Sequence, residues 1–178
     1  MTLQAHPVDP SRLLEAAFRR IESERMAGVA VLNPALCVEA VGFARWQEHW
    51  LGILITPWFM NLVLVPGREE GWQSVADGAR IFRRFPAGDY AFLGGHEPEL
   101  GEFQTCALFS PMAQFAEQDS ARAVALAALE ALQRQPEKPD AAKPAAPLAK
   151  DALDHPEPAA LKRPMSKREF FGSVFRRG

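Results

Sequence analysis

TPWFMNLVLVPG, residues 56–67, sets the problem. Trp58, Phe59 and Met60 stand side by side, with Pro57 before them and Asn61 after. Leu62 to Val65 then reads as strand, and Pro66-Gly67 as a turn. A half-buried strand sends every second side chain to water. Three large apolar residues in a row mean that both faces are covered, or that one face is meant for a partner. Pro57 has no amide to give to a ladder, so it marks an edge, a bulge or a break. Either the strand resumes after it, or 50–56 and 62–65 are consecutive strands around a kink. The expected arrangement sends Phe59 into the core and Trp58 and Met60 to a binding surface, with Asn61 satisfying backbone groups freed at the kink.

Upstream, Asp9 is the expected cap and Pro10 the first residue of a helix over 9–26. Leu13, Leu14, Ala17, Phe18 and Ile21 recur at helical spacing, and Gly28 ends it. Residues 36–46 alternate as a strand, Gln47-Glu48 is a hairpin loop, and Trp50 begins the return strand. Downstream, 80–85, 90–94 and 102–109 read as strands. GHEPELG (95–101) reads as an exposed acidic loop. Ser110-Pro111 has the form of a helix start, with Met112, Phe115 and Ala116 opening an apolar stripe that continues to Gln133. The body, 1–134, is therefore expected to be α+β: an antiparallel sheet of about five strands, with an N-terminal and a C-terminal helix packed on one face.

The composition changes after Arg134. Residues 135–160 carry six prolines and no aromatic residue, the pattern of a disordered linker. Residues 161–178 differ again. They hold six basic residues against Glu169, a charge of +5 in a chain whose formal total is -2. Phe170, Phe171, Val174 and Phe175 would share one face of a helix capped by Ser166. Ser166-Lys167-Arg168-Glu169-Phe170-Phe171 is similar to the twin-arginine export consensus Ser-Arg-Arg-x-Phe-Leu-Lys, with Lys167 for the first arginine. Lying at the wrong end, with no long apolar segment after it, it cannot serve as an export signal. Docking to a protein, the body included, contact with a membrane surface, and no role at all are three readings of this tail.

Conventional chemistry finds little support. Cys37 and Cys106 are not in a CxxC pair, and two cysteines make neither a disulfide scaffold nor a four-ligand zinc site. His96, Glu97 and Cys106 are the nearest to a metal set, and their spacing does not enforce convergence. No phosphate-binding glycine loop is present. The acidic body argues against nucleic acid. The N-terminus lacks a basic n-region and an apolar h-region, so no signal peptide is expected. The stronger signal is apolar. TPWFMN and SPMAQF each set a Met and aromatics beside a Pro, a chemistry suited to irregular partners. Trp58, Met60, Asn61, Met112 and Phe115, with Glu97 and Glu99 on an acidic rim, are the expected groove for a cationic, apolar peptide.

NPALCVEAVGF (33–43), GILITPWFMNLVLVPG (52–67), FPAGDYAFL (85–93) and CALFSPMAQFA (106–116) together resemble the HybE/HupJ/HoxT family of [NiFe]-hydrogenase assembly chaperones. The resemblance covers roughly residues 10–134. It implies a cytoplasmic, non-enzymatic accessory protein without a cofactor. Its implied partner is the precursor of the hydrogenase small subunit, which carries iron–sulfur clusters and a twin-arginine signal. Some members are joined to a rubredoxin, and the cysteine knuckles for one are missing here. A metal or redox accessory protein using Cys37, Cys106 and His96, and an interaction module with another partner, are the alternatives.

Overall fold

A computed structural model describes residues 3–136. The linker and tail expected over 135–178 therefore lie outside the described residues, save for Gln135 and Pro136.

Helix α1 spans Ser11–Arg25. It begins two residues later than expected, yet Asp9 still acts at its start, where its carboxylate accepts from the Ser11 amide at 2.9 Å. Six strands follow: β1 Glu39–Trp46, β2 His49–Ile55, β3 Met60–Val65, β4 Arg80–Phe85, β5 Gly88–Glu97 and β6 Gly101–Phe109. Helix α2, Gln118–Gln133, closes the fold. The strands form one antiparallel sheet in the order β1-β2-β3-β6-β5-β4. The sixth strand comes from the break in the opening stretch. Ile55 pairs with Met60, so β2 and β3 are a hairpin around residues 56–59.

The expectation of helices on one face is corrected. The core is two clusters, one on each side of the sheet. Leu51, Ile53, Ile55, Met60, Leu62 and Leu64 pack with Ala121, Ala125, Ala128 and Leu132 of α2. The alternate residues Leu54, Val63 and Val65 pack with Leu14, Ala17 and Phe18 of α1. With a helix on each side, β2 and β3 have no solvent face, which is why MNLVLV (60–65) does not alternate polar with apolar. The sheet curls around the α2 cluster. Trp46 of β1 and Phe85 of β4, from the two edge strands, stack at 4.6 Å. A bulge in β1 between Val41 and Ala44 assists the curl, with Gly42 at φ 64.

Two more expectations change. Residues 95–97 belong to β5, so the acidic loop shrinks to a tight turn over 98–100 with Leu100 fully buried. Residues 110–117 do not open the second helix. The Phe115 amide donates to the Met112 carbonyl in a single turn at 3.2 Å, and Asn33 of another loop donates to the Met112 and Phe115 carbonyls; the first α2 residue is Gln118.

Candidate functional site

Three loops meet at the end of the sheet where β2 turns into β3. Thr56 organises the turn. Its hydroxyl accepts from the amides of Trp58 (3.3 Å) and Phe59 (2.9 Å), and its own amide donates to the Phe59 carbonyl at 2.8 Å. Thr56, not Asn61, therefore satisfies the backbone at the kink. Asn61 is half-buried, and its Oδ1 is buried without a hydrogen-bond partner among the described residues. Asn33 joins the loops. Its amide donates to the Pro57 carbonyl at 2.8 Å, and its Nδ2 donates to the carbonyls of Met112 (2.9 Å) and Phe115 (2.7 Å). Ser110 Oγ donates to the Trp58 carbonyl at 3.4 Å. So TPWFMN and SPMAQF are brought together, through an asparagine whose sequence signal was only a turn.

Their large side chains do not form an open groove. Met60 and Met112 are 0% exposed and Phe115 is 7% exposed, all in the α2-side cluster. The strand period is the reason. Met60 takes the same side as Leu62 and Leu64, which α2 covers. Trp58 and Phe59 share the other side, half-buried. Phe59 meets Phe18 of α1 edge-on at 5.8 Å and Trp58 at 5.5 Å.

Glu97 and Glu99 are not the rim of this region. The register puts Glu97 opposite Gly101, whereas Phe109 lies opposite Met60, so the β5–β6 turn is at the far end of the strands. There the two carboxylates hold α1: Glu97 pairs with Arg25 at 2.7 Å and Glu99 pairs with Arg20. Each arginine's hydrogen bond raises its own pKa, and the Arg20 bond lowers that of Glu99.

An open surface does exist, and sequence reading passed over it. On the α1 side, the β4–β5–β6 half of the sheet carries Phe82, which is 58% exposed, and Leu93, which is 43% exposed. Cross-strand pairs build the patch: Phe82 faces Ala91, and Arg80 faces Leu93, which faces Thr105. Ala107, also exposed, lies opposite Asn61 and links the patch to the 56–59 turn. Arg80 and Arg84 flank Phe82 on its own strand, and Arg84 pairs with Asp89 at 3.0 Å. The available signal was RIFRRF: the period puts Phe82 on the same side as two exposed arginines, where a polar residue belongs.

His96 lies opposite Glu102, Cys37 is exposed and Cys106 is buried. Among the described residues no three His, Cys, Asp or Glu side chains are grouped to hold a metal ion. No described helix is long and apolar enough to cross a membrane.

A family model described as "[NiFe]-hydrogenase assembly, chaperone, HybE" matches residues 9–173. The chain belongs to that family. Protein HoxT of Cupriavidus necator is 46% identical over 129 residues, which is 66% of this chain and 72% of HoxT. The hydrogenase expression/formation protein HupJ of Bradyrhizobium diazoefficiens is 45% identical over 117 residues, 66% of this chain and 68% of HupJ. The solution structure of HybE from Escherichia coli superposes with a TM-score of 0.61 at 23% identity, covering 86% of this chain and 98% of that one. That likeness shows the α+β fold is shared. This chain is thus a hydrogenase assembly chaperone of the HybE family.

Proposed function

We propose that this HybE-family chaperone binds the precursor of a hydrogenase small subunit, its twin-arginine signal included, and holds it in the cytoplasm before export without catalysing a reaction. The open half of the sheet is its docking surface, with Phe82 and Leu93 as anchors and Trp58 and Asn61 at its margin. Met60, Met112 and Phe115 support that margin from the core. Glu97 and Glu99 act at a distance, by fixing α1.

The observation that carries the reading is the apolar patch that no other described element covers. Two large apolar side chains lie on adjacent strands where the same sheet is otherwise covered by α1. Such a patch on a small body marks an interaction surface. The described body has sixteen acidic residues against eleven basic ones, which favours the approach of a cationic, apolar segment such as a signal, while Arg80 and Arg84 border the patch itself.

The test is binding of the purified chain to the precursor, with and without the signal segment, repeated with Phe82→Ser and Leu93→Ser. Loss of binding in the variants, and in the wild type when the segment is missing, is expected. Binding that ignores the segment moves the contact to the mature subunit. Binding that ignores both substitutions removes this face from the site.

A further inference from the structure

We infer that residues 161–178 dock back onto the open face of β4–β5–β6, so that the chain carries a resident occupant for its own docking surface. The identity of the surface as a client site rests on the function proposed above; the tail contact itself does not.

The Leu132 carbonyl at the end of α2 accepts from the Ala87 amide at 3.2 Å, in the β4–β5 turn. The chain therefore leaves the body beside the two strands that carry Phe82 and Leu93. Twenty-four residues, 137–160, separate the last described residue from the tail. A coil of that length covers roughly 25 Å, at about 5 Å times the square root of the residue number. The patch is well within reach.

The chemistry of the two partners agrees. The patch offers Phe82, Leu93, Ala91 and Ala107 to apolar groups. The tail offers Val174 and Phe170, Phe171 and Phe175, the last three being the first aromatic residues after the body. The tail is +5 and the described body is -5, but Arg80 and Arg84 flank Phe82 and Asp89 of β5 is already paired with Arg84, so apolar groups carry the contact at the patch itself. The match to the family also runs past the body, through Phe170 and Phe171 to residue 173.

Tethering makes a weak contact sufficient. A spacer of this size gives an effective concentration on the order of 1 mM. A tail with an intrinsic Kd of about 0.1 mM would then occupy the face about nine-tenths of the time and weaken a competing ligand about tenfold. The resemblance of Ser166-Lys167-Arg168-Glu169-Phe170-Phe171 to a twin-arginine motif then has a physical meaning: like chemistry competes for one face.

The experiment compares the full chain with the full chain carrying Phe170→Asp and Phe171→Asp. Neither substituted residue belongs to the core formed by residues 3–136. With no client present, the amide resonances of Phe82, Ala91, Leu93, Thr105 and Ala107 are expected to shift between the two proteins. Unchanged resonances, or shifts confined to another surface, overturn the inference. Coupling with a carbodiimide gives a second readout, because every lysine lies at position 138 or later. Links from Lys162 or Lys167 to Asp89 or Asp77 are expected, and links only to spacer acids count against docking. Titration with a synthetic twin-arginine peptide then separates the two ideas. A gain of about tenfold in affinity in the variant supports competition. A tail that shifts the face while the peptide binds both proteins equally leaves the tail contact standing and removes the face as the signal site.

Discussion

The α1 side of this sheet is two surfaces with different fates. Over β1–β3 it is sealed: Val38, Leu54, Val63 and Val65 lie beneath Leu14, Ala17 and Phe18. Over β4–β6 it is open, and there Phe82 and Leu93 face water between charged neighbours. Sealed strands give continuous apolar runs, and open strands alternate. An apolar residue on an alternating strand's wet face is therefore more informative than a cluster of aromatics on a sealed one. The Trp-Phe-Met string attracts notice first, yet its methionine is core. Phe82, lodged among arginines, is the more exposed.

This contrast is breakable by mutation. The largest effect is expected on the sealed strands. Met60→Ala should cost about 2–5 kcal/mol by leaving a cavity under α2, measured by urea unfolding. A stable Met60→Ala protein that had lost precursor binding would return Met60 to a surface. Next comes the clamp between the loops. Asn33→Ala removes the Nδ2 donor shared by the Met112 and Phe115 carbonyls, the first of which keeps only the Phe115 amide, and should cost about 1–3 kcal/mol, with faster amide exchange across 110–117. Loss of stability without any change in that segment would show that the clamp is not what holds it.

On the open half the balance reverses. Phe82→Ser and Leu93→Ser should alter stability by no more than about 0.5 kcal/mol, while precursor binding falls. A large drop in melting temperature would mean that this face is packed after all.

The smallest effect concerns pH. Burial works to raise the Glu39 carboxyl, but donation from Arg122 and Gln118 outweighs it and holds the group below its ordinary value of 4.5. A carboxylate held low in the fold contributes stability that is fully present above the unfolded value. That contribution is lost as pH falls through the folded value. Stability should therefore be insensitive to Glu39 titration above about pH 5 and decline below about 4.5, and Glu39→Gln should flatten that part of the acid limb. An unchanged acid limb would assign the decline to other carboxylates.

Much of the fold was legible because its signals are local. The Asp9-Pro10 start, the 3.6 spacing of α1, the Gln47-Glu48 hairpin with both residues at positive φ, and the strands on either side of Pro57 each depend on a few adjacent residues. The family was legible in the same way, from strings. Tertiary structure alone decided which side each helix covers, because an amphipathic helix does not record the sheet face it will meet. It also decided that Met60, Met112 and Phe115 are core and that Glu97 and Glu99 lie at the far end from Trp58, since both follow from strand register. The open patch is the clearest case. RIFRRF by itself determined that Phe82 shares a side with Arg80 and Arg84. That this side is bare among the described residues follows from α1 packing over β1–β3 and not over β4, a placement of elements some sixty residues apart in the chain.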